Sequence, residues 1–290
     1  MSTWSASYNK KKKRVDEAIT ALPRRAAVIV GMASMETQGF MGEVHRFAER
    51  FEHLRVLSCL NLNSYQFCED PQYEGTFVNE NWFFGPSNRK AAQAGYKLVE
   101  YIPNNLHQAG TRKITALQEE GVPIVYWGPA TPMSDRTGFF NLGLSNVYEK
   151  EAIEAADVVV LEVNGEVPWI HGDTNVHLQD VDMIVEHTTP LPQIPNPEPG
   201  GVEQKIAEHI AALVPDGATL QIGIGGIPNG VAALLGHKKD LGIHTEMFTE
   251  SMIPLFEQGA STNKKKSLWR GKCVVSVALG SSDLYAWLHD

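Results

Sequence analysis

Two stretches of this sequence hold residue types that can do chemistry together. The first is GIGGIPNG, 223–230, set between an apolar strand-like run and a helical pattern. Glycines let a backbone approach a ligand closely, and the first turn of a helix offers N–H groups without acceptors and a partial positive charge. Pro228 suits that first turn, where a missing N–H costs little. The second stretch is LGIHTEMFTE, 241–250, where Glu246 arrives at the end of an apolar run and Glu250 follows. A glutamate with a reference pKa of about 4.3 is ionised at neutral pH. It needs no base to act as a nucleophile, only positioning and partial desolvation. Parallel strands end at one edge of a sheet, and ligands sit beyond their carboxyl ends. The glycine loop and Glu246 would therefore meet across one crevice if their strands are neighbours.

Two other readings compete. A dinucleotide fold needs G-x-G-x-x-G after a strand and an acid about 20 residues on. Gly223 and Gly225 fit, and Glu246 lies 23 residues past Gly223. Pro228, however, occupies the place of the third glycine, which serves close helix–strand packing. The plainest reading of Glu246 is a strand-end carboxylate in solvent.

The elements that must position these residues follow from hydrophobic pattern. Val15 to Leu22 reads as a short helix stopped by Pro23, then Ala26 to Val30 as a strand opening at Gly31. EVHRFAERF is helical in pattern, LRVLSCLNL is a strand, and Asn63 to Glu80 shows no clear period. NWFF leads into a helix for which Ser87 is the expected N-cap. VPIVYWGPA, DVVVLEVN and DVDMIVEH are further strands, with the helix EKEAIEAA before the second. This alternation specifies parallel α/β architecture. HTTPLPQIPNPEPGG, 187–201, carries five prolines and reads as an extended linker. A new cycle follows it: helix VEQKIAEHIAALV, turn and strand DGATLQIGIGG, helix PNGVAALLG, strand LGIHTE and strand candidate KCVVSVALG.

Composition narrows the partners. The chain has 290 residues, 43% hydrophobic and 20% charged, enough for one large or two ordinary domains. A net charge of -9 does not attract nucleic acid or anionic membrane. Cys59, Cys68 and Cys273 are odd in number and form no C-x-x-C pair, so a reducing cytoplasm is the expectation. No apolar run is long enough to span a bilayer. KKKKR, 10–14, reads as a solvated helix start, with an anion patch as the alternative.

Taken together, LQIGIGGIPN and HKKDLGIHTEMF resemble the acetyl-CoA hydrolase/transferase family, whose members include 4-hydroxybutyrate, butyrate and acetate CoA-transferases. FFGPSNRKA, AADVVVLEVNGEVPWIHGDTNVHLQDVDMIVE and PLPQIPNPEPGGVEQKIAEHIAALVPDG agree with the family in order, so the resemblance runs from about residue 15 to the end. It implies two tandem open α/β domains of the CoA-transferase (NagB/RpiA-like) type. These would be an N-terminal domain over 1–189, a proline-rich linker over 190–201 and a C-terminal domain over 202–290. The active site would lie between the halves. Family members continue beyond position 290, so the second domain is expected to be incomplete. By the same resemblance Glu246 is the catalytic glutamate, and Gly223, Ile224, Gly225, Gly226 and Ile227 line the thioester of coenzyme A, a co-substrate. The expected partners are an acyl-CoA and a small carboxylate, with no metal or nucleotide cofactor, and the expected assembly is a homo-oligomer. Acyl-CoA hydrolysis and a non-catalytic CoA-binding remnant are the alternatives. After HTEMF the family usually reads Ser-Asp-Gly, where this chain has Thr249, Glu250 and Ser251.

Other constellations are weaker. His171, Asp173 and His177 suit a structural role better than a metal site, since no further ligand is evident. NKKKSLWRGK, 263–272, reads as a solvated loop, with contact to CoA phosphates as the alternative. Met32, Met35 and Phe40 suit either an acyl pocket or plain core.

Overall fold

The computed structural model describes residues 4–289. Two compact units divide it: one runs to Pro192 and includes Leu288 and His289, and the other is Gln193–Trp287.

The first unit is built on an eight-stranded, wholly parallel sheet. Its strands are β1 (Lys12–Lys13), β2 (Arg25–Val30), β3 (His53–Ser58), β4 (Phe77–Asn81), β5 (Val99–Tyr101), β6 (Ile124–Ala130), β8 (Val158–Val163) and β10 (Met183–Glu186). A separate antiparallel pair joins β7 (Phe139–Asn141) to β9 (Asn175–His177). The order across the large sheet is β1-β10-β8-β6-β2-β3-β4-β5. The central strands are buried along nearly their whole length, which is why RAAVIV, IVYWGPA and VVVLEV are almost continuously apolar. From β2 the chain steps outward to β3, β4 and β5, then returns to β6 on the other side of β2. The carboxyl ends of β2 and β6 are therefore the sheet's switch point.

Three local expectations need correction. KKKKR is a helix start only at its last residue, Arg14, the N-cap of the helix Val15–Ala21: Lys10 and Lys11 close the helix Ser5–Lys11, and Lys12 and Lys13 form the edge strand β1. Two of the charges are engaged locally. Lys11 Nζ donates to the carbonyls of Leu178 and Val181 at 2.9 and 2.5 Å, and Lys12 pairs with Glu186 at 2.5 Å. The strand expected at NWFF lies earlier, at Phe77–Asn81. Its polar residues Asn79, Glu80 and Asn81 hid it from the hydrophobic pattern, yet all three are buried and engaged. Asn79 Nδ2 donates to Val56 O and Ser58 Oγ, Asn81 Nδ2 donates to Ser58 Oγ, and Glu80 pairs with Arg55 and Lys113. The next helix starts at Pro86 with Gly85 as its N-cap, not at Ser87, because proline is preorganised for the first helical position.

The helix Ala109–Glu120 had no clear sequence signal at its start. Ile114 and Leu117 face inward, and Gly121 ends the helix at φ 67°, a left-handed value that glycine adopts without strain.

In the second unit, the segment from Gln193 to Gly200 has no regular structure. The helix Gly201–Leu213 then packs on the helix Gly226–Leu234. Strands β11 (Thr219–Leu220) and β12 (Gly242–Ile243) form one parallel pair, and β13 (Met247–Phe248) and β14 (Val277–Ala278) form another. The single strand expected at LGIHTE is thus broken between β12 and β13, and Glu246 lies at the break.

Candidate active site

The strands that carry the glycine loop and Glu246 are neighbours and run parallel. Thr219 lies opposite Gly242 and Leu220 opposite Ile243. Carrying that register forward sets Ile222 across from Thr245, and Gly223 across from Glu246. The Ile222–Thr245 pair is bonded through a side chain. Thr245 Oγ1 donates to the Ile222 carbonyl at 2.9 Å and accepts the Ile222 N–H at 3.2 Å. On its other side the strand holds to the segment before β14. Thr245 N–H donates to Val274 O at 3.0 Å, and the Glu246 carbonyl accepts from the Ser276 and Val277 N–H groups at 3.0 and 3.1 Å.

The backbone of Glu246 is thus anchored while its side chain is exposed. That side chain forms no hydrogen bond or ion pair with any described residue. Two buried carboxylates in the first unit differ sharply. Glu36 accepts from the Leu62 N–H, from Asn63 N–H at 3.2 Å, from Asn63 Nδ2 at 2.8 Å and from Tyr65 OH at 2.8 Å. Glu162 accepts from Gly39 and Phe40 N–H at 2.7 and 3.1 Å and from Trp127 Nε1 at 3.1 Å. Burial raises the pKa of both above the usual carboxylate range. Their lone pairs are committed, those of Glu36 to the 62–65 segment and those of Glu162 to the helix Gln38–Glu43 and to Trp127 of β6, which makes them scaffold rather than nucleophile.

The glycine loop is the complement. Ile222 is buried, while Gly223 and Ile224 are exposed. Gly225 takes φ 114° and ψ 178°, a conformation essentially reserved for glycine, and caps the helix Gly226–Leu234. The helix's first internal bond is Asn229 N–H to Gly225 O at 3.1 Å. The five N–H groups from Gly223 to Ile227 have no acceptor among the described residues, and Pro228 has no N–H to offer. Five consecutive free donors at a helix start are a site for an oxygen bearing negative charge.

Two contacts shape the loop. Asn229 Nδ2 donates to Asn196 Oδ1 and Pro197 O at 2.8 and 2.9 Å, so the proline-rich segment is pinned to this helix. Glu203, whose carboxylate accepts the Gly200 N–H at 2.7 Å, sits against Gly226 so closely that a Cβ there would collide with it. A phosphate dianion at that end of the loop would face this carboxylate. A neutral carbonyl oxygen that gains charge only during reaction is the better fit.

Sequence reasoning did not single out Thr245, Glu203 or Asn229. Thr245 had one legible signal, a hydroxyl at a strand end just before the acid. The stretch 263–272 is a loop exposed at eight of its ten residues; Asn263 and Lys266 are the exceptions, buried, and Lys266 Nζ donates to Ile243 O and Lys272 O at 2.9 and 2.7 Å. Nothing distinguishes Lys266 from its neighbours Lys264 and Lys265 in sequence. Phe40 is core, packed on Trp127 with ring centroids 4.7 Å apart, and Met32 and Met35 are buried. His177 packs edge-on against Trp4 and Phe139, and Asp173 is exposed near Lys150. No group of three or more His, Cys, Asp or Glu placed to hold a metal occurs among the described residues.

The fold and this loop define a parallel α/β protein with free backbone amides and an exposed carboxylate at adjacent strand ends. A family model described as the acetyl-CoA hydrolase/transferase N-terminal domain matches residues 2–195. The chain belongs to the acetyl-CoA hydrolase/transferase family. It is 38% identical over 209 residues to the succinyl-CoA:cyclohexane-1-carboxylate CoA transferase of Geobacter metallireducens, covering 72% of this chain and 46% of that one. It is 30% identical over 287 residues to the 4-hydroxybutyrate coenzyme A transferase of Clostridium kluyveri, covering 99% of this chain and 65% of that one. The crystal structure of RipA from Yersinia pestis matches with a TM-score of 0.90 at 29% identity, over 99% of this chain and 68% of RipA. The matches to the two transferases thus span about half to two thirds of those enzymes' length.

Proposed function

We propose that this chain transfers coenzyme A between a short-chain acyl-CoA and a carboxylate of the 4-hydroxybutyrate, butyrate or acetate type, with Glu246 as nucleophile. The observation that carries this reading is the pairing of an exposed, unpartnered carboxylate at 246 with five free amides on the adjacent parallel strand end. In this reading the units before and after the 190–201 linker act as the N- and C-terminal CoA-transferase α/β domains.

A Glu246 oxygen attacks the thioester carbonyl, and the C–S bond breaks. This leaves an acyl-glutamyl anhydride and CoA thiolate. The thiolate attacks the glutamyl carbonyl, a C–O bond breaks, and the donor's acid departs from a glutamyl-CoA thioester. The acceptor carboxylate attacks that thioester, expelling thiolate and forming a second anhydride. Thiolate then attacks the acceptor's carbonyl, which releases the new acyl-CoA and restores Glu246. Covalent transfer keeps the thioester's free energy that hydrolysis would discard. The N–H groups of Gly223, Ile224, Gly225, Gly226 and Ile227 meet the oxyanion of each tetrahedral intermediate. One such donor is typically worth about 3–4 kcal/mol. Coenzyme A is a co-substrate, and no step calls on a metal or nucleotide. On this reading the protein works in the cytoplasm as a homo-oligomer. No helix among the described residues is long and apolar enough to cross a membrane.

The test is a CoA-transfer assay of the 290-residue chain, run with and without an acceptor carboxylate, beside Glu246→Ala. Turnover that requires the acceptor and disappears in Glu246→Ala supports the reading. Thioester loss at the same rate without acceptor would make the protein a hydrolase. CoA binding without turnover would make it a binding remnant.

A further inference from the structure

We infer that Thr245 is a positioning residue, whose hydroxyl stands in for two missing rungs of the sheet and so sets Glu246 against the glycine-loop amides. The inference rests on the proposed role of Glu246.

The parallel ladder between β11 and β12 is regular as far as His244. Gly242 N–H donates to Ala218 O at 2.8 Å, and His244 N–H donates to Leu220 O at 2.9 Å. Continued regularly, Ile222 N–H would next donate to His244 O, and Glu246 N–H would donate to Ile222 O. Neither bond forms. Thr245 Oγ1 takes both places on Ile222, accepting its N–H at 3.2 Å and donating to its carbonyl at 2.9 Å. Ile222 and Thr245 are both buried, so without the hydroxyl two main-chain groups would go unpaired.

The substitution has a geometric result. A residue in a continuous ladder keeps the strand's alternation, and its neighbours' main-chain groups are consumed by pairing. Here the strand bends at Glu246, and the Glu246 N–H is left without an acceptor among the described residues. Gly223 is released in the same way on the partner strand. The hydroxyl thus ends the pairing one residue short of both reacting groups while holding the two strand ends together. Three hydrogen bonds on the far side, from Thr245 N–H to Val274 O and from Ser276 and Val277 N–H to Glu246 O, keep the bend from relaxing.

A valine has nearly the shape of threonine but cannot bridge Ile222. The rungs must then either re-form, drawing Glu246 back into the ladder, or stay empty. Either way the carboxylate moves relative to the loop, and a displacement of about 1 Å at a reacting group costs on the order of a hundredfold in rate. Substrate contacts away from the carboxylate are untouched, so KM should hold.

The experiment compares wild type, Thr245→Val, Thr245→Ser and Glu246→Gln. It measures kcat and KM for an acyl-CoA with acetate as acceptor, and amide hydrogen exchange across 222–227. Thr245→Val should lose about a hundredfold in kcat with KM within about threefold, and its Ile222 amide should exchange faster. Thr245→Ser, which keeps the oxygen, should stay within about threefold of wild type in kcat. Should Thr245→Val fail to fold, Thr245→Ala removes the same oxygen without adding bulk and is read the same way. Wild-type kcat in Thr245→Val beside an inactive Glu246→Gln would overturn the role of Thr245 alone, as would an inactive but folded Thr245→Ser. An active Glu246→Gln, or a wild-type chain without transfer, would remove the proposed function and this inference with it.

Discussion

Lys266 donates its ammonium to the Ile243 carbonyl at 2.9 Å, three residues before Glu246, from a position only 2% exposed. That bond ties the 263–273 loop to β12, and a second, to Lys272 O at 2.7 Å, closes the loop on itself. No carboxylate pairs with this lysine among the described residues, and burial lowers its pKa. The unfolded chain then holds the proton more tightly. Stability from this group therefore rises with pH as the lysine titrates, and is least when the buried ammonium is fully charged.

Lys266→Met keeps the apolar stem and removes both donors. It should destabilise the second unit by about 1–3 kcal/mol, the usual cost of deleting one partner from buried bonds. Thermal unfolding of the two proteins at pH 7 checks this. An unchanged Tm would mean that the ammonium is no anchor.

The glycines of the loop are not equivalent. Gly225 sits at φ 114°, so Gly225→Ala should cost about 1–3 kcal/mol and distort the free amides. At Gly223 a Cβ would meet nothing nearer than Pro228 Cγ at 3.8 Å, so Gly223→Ala should fold like wild type. Unfolding curves for both variants, with kcat/KM, would show the asymmetry. Equal stability loss at the two positions would contradict the loop geometry.

The thiols should be quiet. Burial pushes Cys273 up to about 11 and Cys68 up to about 12. A thiol raised above its unfolded value near 8.5 contributes stability below that pH and loses it as pH rises through the folded value. Iodoacetamide at pH 8 should leave both cysteines unmodified in the native protein and label them after denaturation, as peptide mapping would show. Rapid native labelling of buried Cys68, or of half-buried Cys273, would contradict their raised thiol pKa.

Much of this architecture was legible. The apolar runs of β2, β6 and β8 announce a parallel sheet because both of its faces are covered. The adjacency of the glycine loop and Glu246 was legible because parallel strands end at one edge of a sheet. Polarity concealed the rest. Strand β4 reads as loop because Asn79, Glu80 and Asn81 hide their partners, Ser58, Arg55 and Lys113, at distant positions in the chain. Lys12 and Lys13 read as helix because an edge strand of two lysines has no hydrophobic period. Thr245 and Lys266 act through main-chain groups 23 residues away, Ile222 and Ile243, and side-chain pattern carries no trace of such bonds.

In the proposed mechanism Glu246 carries coenzyme A covalently during turnover. The direct measurement is to incubate the chain with a short-chain acyl-CoA without acceptor, quench it, and map the peptides by mass spectrometry. A CoA thioester should appear on the peptide containing Glu246, be discharged by added acetate and be absent from Glu246→Gln. An adduct on another residue, or steady transfer with no adduct at 246, would contradict it.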